Sequence, residues 1–216
     1  MKIEAVIYDM DGVIIDSEPF WREAIILTFK TVGLNFTEDM CRETMGMRLI
    51  EVIEYWHEKL GWEGKTIAQV EEELLATVSE LILQKADAIN GVYQSLNSFK
   101  ERGLKLALAS SSASSLIKTV LNKLELNNYF DVVNSAENLP YGKPHPMIFI
   151  NTANDLGVKP TNCLVIEDSF NGLLAAKAAL MKTIVVPEKE NQNNPNFNIA
   201  DFNITSLTQI KDLNIG

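Results

Sequence analysis

Short apolar runs alternate along this chain with longer amphipathic stretches. The first run, Ile3–Tyr8, is rich in branched and aromatic residues and stops at Asp9, Asp11 and Gly12. An apolar run of this length closed by turn residues predicts a buried β-strand. Similar runs at Leu104–Ala109, Val132–Val133, Leu164–Ile166 and Thr183–Val186 predict further strands, with a short last one near Phe202–Ile204. Helix-like segments lie between them, among them Ser114–Leu124, Met147–Leu156 and Phe170–Leu180. Strands apolar at every position suit a sheet covered on both faces. Strands alternating with helices predict parallel βαβ units and a doubly wound, Rossmann-like α/β sheet.

The stretch 16–86 breaks this rhythm, because it holds almost nothing strand-like. Ser17 and Pro19 mark a helix start and Gly33 a stop. Met47–Leu60 has helical periodicity and ends at Gly61, and Thr66-Ile67-Ala68-Gln69 fits a capping box ahead of a long run to Ala86. The expected organisation is a catalytic core of residues 1–15 and 87–216 with an inserted all-helical cap at 16–86. The Asn-rich piece from Asn191 to Asn198 reads as a surface loop.

Composition narrows the partners. Nineteen Lys and Arg against 29 Asp and Glu leave a formal net charge of −10. Nucleic acid is held mainly by basic residues against phosphate, so it is not an expected partner. An anionic substrate would have to meet local positive charge, from a few basic side chains or a metal ion. Cys41 and Cys163 lie far apart with no metal-binding spacing and read as reduced, buried thiols. No apolar stretch is long enough to span a bilayer, and the N-terminus turns acidic too early for a signal peptide. A cytoplasmic monomer is the expectation.

Four groups of residues carry candidate chemistry. Asp9 and Asp11 lie just past the carboxyl end of the first strand, where open α/β sheets bind ligands. Glu167 and Asp168 hold the same place after the strand Cys163–Ile166. If the two strands are neighbours, four carboxylates converge, a costly arrangement without a divalent cation such as Mg²⁺. Ser110 follows the strand Leu104–Ala109, with Ser111 and Ser112 behind it; Ser112, Ser114 and Ser115 read as loop and helix-start residues. Lys143 sits in Tyr141-Gly142-Lys143-Pro144, just before the Met147 helix. An acid pair, a Ser, a Lys and a second acid pair, in that order, suit phosphoryl transfer through a phospho-aspartate.

These motifs resemble those of the haloacid dehalogenase superfamily. The likeness rests on Asp9-Met10-Asp11-Gly12-Val13, Ser110, Lys143 and Glu167-Asp168, and covers essentially the whole chain. The helical insertion is similar to that of the β-phosphoglucomutase-like subfamily. The stretches DSEPFW, ENLPYGKPHP and EDSFNG look like those of bacterial sugar-phosphate phosphatases, the group acting on 2-deoxyglucose 6-phosphate and hexitol phosphates. The resemblance implies Asp9 as nucleophile and Mg²⁺ ligand. It implies Asp11 as general acid/base, with its main-chain carbonyl on the metal. Ser110 and Lys143 would hold the phosphoryl group, Asp168 would complete the metal site and Glu167 would support it. Gly12, Ser111, Arg48 and Trp21 are the implied substrate-binding positions.

Sugar phosphomutases of the subfamily carry a His in the first cap helix and a Lys just after the Ser of the second motif. Trp21 and Ala113 stand there in this chain. The expected activity is therefore Mg²⁺-dependent hydrolysis of small sugar or polyol phosphates, with a β-phosphoglucomutase-like isomerase as the alternative. Phospho-acceptor signalling modules also combine acids, Ser or Thr, Lys and Mg²⁺. They place the acid pair and the acceptor Asp on different strands, however, and have no helical insertion. A binding protein without catalysis would not need every motif residue. Arg48, in Gly46-Met47-Arg48, is the basic residue of the cap expected to touch the sugar. His57 and His145 have no partners at metal-ligand spacing and read as a helix-face and a loop residue.

Overall fold

The apolar runs pair into one parallel sheet. The computed structural model describes residues 2–44 and 47–215; Gly46 of the Gly46-Met47-Arg48 stretch and the end positions 1 and 216 lie outside the described residues. The strands are β1 (Ala5–Tyr8), β2 (Lys105–Ser110), β3 (Val132–Ser135), β4 (Cys163–Glu167), β5 (Lys182–Val185) and β6 (Phe202–Asn203). They lie in the order β3-β2-β1-β4-β5-β6, each parallel to its neighbour. The chain builds outward from β1 through β2 to β3, then crosses back to place β4 on the other side of β1. That reversal puts a crevice at the carboxyl end of β1.

Helices α5 (Val92–Glu101), α6 (Ser114–Lys123), α7 (Met147–Asp155) and α8 (Phe170–Ala178) cover the sheet. Alternation along the strands assigns the faces. Val6, Tyr8, Leu106, Leu108, Leu164 and Ile166 pack with Leu96 and Phe99 of α5 and Leu116 and Val120 of α6. Ala5, Ile7, Ala107, Ala109, Cys163 and Val165 pack with Ile148 and Phe149 of α7 and Ala175 and Ala176 of α8. Small residues on this second face let α7 and α8 approach closely. Burying each large side chain contributes about 1.5–3 kcal/mol.

Between β1 and α5 lie α1 (Glu18–Lys30), α2 (Glu38–Glu43), α3 (Leu49–Leu60) and α4 (Ile67–Lys85). The short α2 carries too few turns to show a period and has no counterpart in the expected elements. The Met47 helix begins at Leu49, with Arg48 extended at its N-cap. Thr66 makes the expected capping box with Gln69. Phe29 stacks on Phe36 at 4.2 Å between ring centroids, and Trp56 meets Phe36 edge-on at 4.9 Å. The apolar interior of these helices runs on into the α5–α6 side of the sheet. The two connecting segments hold each other: Ile89 N–H donates to the Ile14 carbonyl at 2.9 Å, and Ile15 bridges Ala88. Among the described residues, no helix is long and apolar enough to cross a membrane. Both cysteines are free and buried.

Candidate active site

Register places the acids. Tyr8 pairs with Leu108 on one side and Ile166 on the other, so Asp9 is level with Ala109 and Glu167. Asp9 and Glu167 continue the alternation of Ile7 and Val165 and so lie on the α7–α8 side. Lys143 reaches the same side from the loop ahead of α7. Its Nζ lies 2.6 Å from Glu167 Oε1, 2.9 Å from Asp9 Oδ1 and 5.1 Å from the centre of the Phe149 ring. All three charged side chains are nearly or fully out of solvent.

The second oxygen of Glu167 is also occupied. Oε2 accepts from the main-chain N–H groups of Asp168 and Ser169, each at 3.1 Å, and from Ser169 Oγ at 2.9 Å. Ser169 in turn caps α8 by accepting from Gly172 N–H at 3.0 Å. Glu167 thus ties Lys143 to the turn that carries Asp168. A Cβ on Gly172 would lie 1.8 Å from Glu167 Oε1, so only glycine fits behind it.

Asp11, on the same cavity, is held by a separate set of hydroxyls. Its Oδ1 accepts from Ser17 Oγ at 2.5 Å, and its Oδ2 from Ser112 Oγ at 2.7 Å and Ser110 Oγ at 3.3 Å. Two of these donors, Ser17 and Ser112, read in the sequence as helix-start and loop residues. Ser17 holds the N-cap position of α1, yet its hydroxyl makes no cap hydrogen bond and goes to Asp11 instead. Ser110 Oγ also accepts from Ser112 N–H at 3.0 Å.

Asp9, Glu167 and Asp168 offer carboxylate oxygens within 4.8 Å of one another. Burial pushes the Asp9 carboxyl upward, and Glu167 adds to this against the pull of Lys143. Burial likewise holds Asp168 well above the usual carboxylate range, with Glu167 and Asp9 adding to it. For Lys143, burial disfavours the charge, but Asp9 and Glu167 outweigh it and keep the ammonium protonated. One cation therefore faces three carboxylates. Asp9 Oδ1 is buried, with Lys143 Nζ paired to it at 2.9 Å and no further donor on it. A cluster of hard oxygen donors with one cation for three carboxylates fits a divalent cation such as Mg²⁺. Asp9 and Asp168 are the residues free to hold it, since both Glu167 oxygens have protein partners.

A cavity of about 390 Å³ opens over this cluster. Asp9, Asp11, Gly12, Ser111, Ser112, Lys143 and Asp168 line its floor. Trp21, Arg22 and Glu18 of α1 also line it, as do Glu188, Asn191 and Asn194 from the loop after β5. Of the expected substrate-binding positions, Gly12, Ser111 and Trp21 reach the cavity. Arg48 is not among its lining residues. Its guanidinium donates to Glu51 Oε1 at 2.8 Å through Nε and to the Leu139 carbonyl at 2.7 Å. Ser110 is fully buried beneath Ser111 and Ser112. His145 Nδ1 accepts from Met147 N–H at 3.2 Å, ordering the loop that carries Lys143. His57 packs edge-on against Trp62.

Comparison with known proteins agrees with this geometry. Hexitol phosphatase B of Escherichia coli is 39% identical over 215 residues, 98% of this chain and 97% of that protein. A phosphorylated carbohydrates phosphatase of Thermotoga maritima is 35% identical over 185 residues, 84% of each chain. The solved β-phosphoglucomutase of Clostridium difficile superposes with a TM-score of 0.82 at 28% identity, covering 96% of this chain and 93% of that one. The sequence profile of the haloacid dehalogenase-like hydrolases matches residues 6–186. The sheet order, the acids at its switch point and this match lead to one assignment: the chain belongs to the haloacid dehalogenase-like hydrolases.

Proposed function

We propose that this phosphoric monoester hydrolase is a Mg²⁺-dependent phosphatase of small sugar or polyol phosphates that works through a phospho-aspartate on Asp9. The observation that carries the reading is Asp9: a buried carboxylate at the cavity floor whose Oδ1 has Lys143 Nζ beside it at 2.9 Å and no further donor. Such an oxygen is free to form a bond to phosphorus. As it does, the bond from phosphorus to the sugar oxygen breaks, and Asp11 gives that oxygen its proton. Asp11 then takes a proton from a water that attacks phosphorus, releasing phosphate and restoring Asp9. Ser17 and Ser112 hold the Asp11 carboxyl in place for both transfers. Lys143, Ser111 and the main-chain amides of this turn steady the phosphoryl oxygens, while Ser110, expected to hold them, is fully buried with its hydroxyl on Asp11 and helps fix that carboxyl. When bound, Mg²⁺ adds positive charge against those oxygens; Asp9 and Asp168 would hold it, with the Asp11 carbonyl beside them and Glu167 behind.

Residues 16–86 act in this reading as a cap over a core of residues 1–15 and 87–216. Closing the cap excludes water and completes the pocket. The substrate class follows the hexitol and carbohydrate phosphatases to which the chain is similar. Trp21, on the cavity wall, offers an apolar face to a carbon chain. Release of phosphate from a panel of sugar and polyol phosphates, with Mg²⁺ and with a chelator, tests the reading. Turnover of at least one polyol phosphate, lost on chelation, is expected; conversion of β-glucose 1-phosphate to its 6-phosphate without phosphate release would favour the mutase alternative.

A further inference from the structure

The Asn-rich loop after β5 reads in the sequence as ordinary surface, yet it faces the cavity. Glu188, Asn191, Asn194 and Phe197 line it; Phe197 also packs into a small core with Leu173 and Val185, and Asn194 accepts from Asn196 N–H at 3.0 Å. Their neighbours on the wall come from the start of α1. Asp16, Glu18 and Arg22 line the same cavity as Glu188, so the loop and the start of α1 share one wall. Among the described residues lining the cavity, the acids are Asp9, Asp11, Asp16, Glu18, Asp168 and Glu188, and the bases only Lys143 and Arg22. Lys143 is committed to Asp9 and Glu167. Arg22 lies 3.8 Å from Glu18 and 3.5 Å from Glu38.

We infer that this loop and the start of α1 form a specificity wall that accepts an uncharged polyhydroxyl chain and repels a second anionic group. A second phosphate or a carboxylate on the substrate would meet Asp16 and Glu188, with Glu18 beside them, while the one cation of this wall, Arg22, already faces Glu18 and Glu38; like charges at short range in a partly desolvated cleft cost several-fold to many-fold in affinity. Hydroxyl groups fit the same wall. They donate to the carboxylates of Glu18 and Glu188 and both donate to and accept from the side-chain amides of Asn191 and Asn194. The inference rests on the phosphatase reading above and narrows it to monophosphates of neutral sugars or polyols.

The test compares kcat/KM for a hexitol monophosphate, a hexose bisphosphate and p-nitrophenyl phosphate, with Mg²⁺, in the wild type, Glu188→Lys and the milder Glu188→Gln. Thermal melting of each variant verifies that it is folded. The wild type should prefer the hexitol monophosphate over the bisphosphate by at least about 100-fold. Glu188→Lys should narrow that ratio by tenfold or more, chiefly through a lower KM for the bisphosphate, and Glu188→Gln should narrow it less. A wild type that turns over the bisphosphate as well as the monophosphate overturns the inference, as does a folded Glu188→Lys with an unchanged ratio; either leaves the phosphatase reading standing. A wild type that hydrolyses none of the three overturns the phosphatase reading, and the inference with it.

Discussion

Arg48 donates a hydrogen bond to the main-chain carbonyl of Leu139, 2.7 Å away and ninety-one residues along the chain. The contact joins the first turn of α3 to the loop that leads into Lys143. The stem of Arg48 also lies against Gly142, whose missing Cβ would sit 3.2 Å from Arg48 Nε. Glu51 holds the other side of the guanidinium. Arg48 is thus placed to brace the Lys143 loop rather than to touch the sugar. A hydrogen bond from a charged donor is worth about 1.5–3 kcal/mol, or roughly tenfold or more in rate. Arg48→Ala should lower kcat about tenfold for sugar phosphates and p-nitrophenyl phosphate alike, with Arg48→Lys in between. A rise in KM confined to sugar phosphates would return Arg48 to substrate contact.

Gly12 and Asp168 are matched in a similar way. Gly12 has a φ of 74°, and a Cβ there would fall 1.9 Å from Asp168 Oδ2. Gly12→Ala therefore adds about 1–2 kcal/mol of backbone strain and displaces a carboxylate proposed to hold Mg²⁺. The Mg²⁺ concentration for half-maximal activity should rise at least tenfold, beyond what the loss of thermal stability explains. An unchanged Mg²⁺ requirement would remove Asp168 from the metal site.

Ser112→Ala removes the closest of the hydroxyls on Asp11 Oδ2. Since Ser112 acts through Asp11, kcat should fall about tenfold while KM stays within twofold. A variant with wild-type kcat would leave Ser112 as a plain loop residue.

Glu18 ties stability to pH. Burial lifts its pKa from an ordinary 4.5 to about 7; Arg22 opposes this, and Glu188, Asp16 and Asp11 add to it. The folded chain therefore binds this proton more tightly than the unfolded chain. Its contribution is fully present below about pH 4.5 and is lost as pH rises toward 7. In the metal-free protein, Glu18→Gln should be on the order of 1–2 kcal/mol more stable than wild type at pH 8 and about equal at pH 4.5. Denaturant unfolding at the two pH values measures this; a difference that does not grow with pH would contradict it.

The inner strands were legible because β1, β2, β4 and β5 are buried almost throughout and so read as apolar runs, as in Leu164–Ile166. Their order was not: the convergence of Asp9 and Asp168 was conditional on the two strands being neighbours, and the grouping with Lys143 came with the resemblance to a family. What stayed hidden depends on direction. Ser112 looks like any loop serine until the pairing of β1 with β2 brings it to Asp11. Glu18 and Arg22 sit in a helix whose first turn could have faced solvent. Asn191 and Asn194 have the composition of surface, and composition does not say which surface faces a cavity. One signal was available for Glu167: Gly172, five residues on, has no turn to serve and is small only because the carboxylate lies against it.

The central claim is that phosphate passes through Asp9. Borohydride reduces an acyl phosphate to an alcohol, so quenching a hexitol phosphate reaction in mid-turnover marks the residue that carried the phosphoryl group. Peptide mass spectrometry should find residue 9 converted from aspartate to homoserine, only when substrate and Mg²⁺ are both present, and Asp9→Asn should neither be marked nor turn over. A mark on another residue, or an Asp9→Asn variant hydrolysing the substrate at near the wild-type rate, would contradict the account.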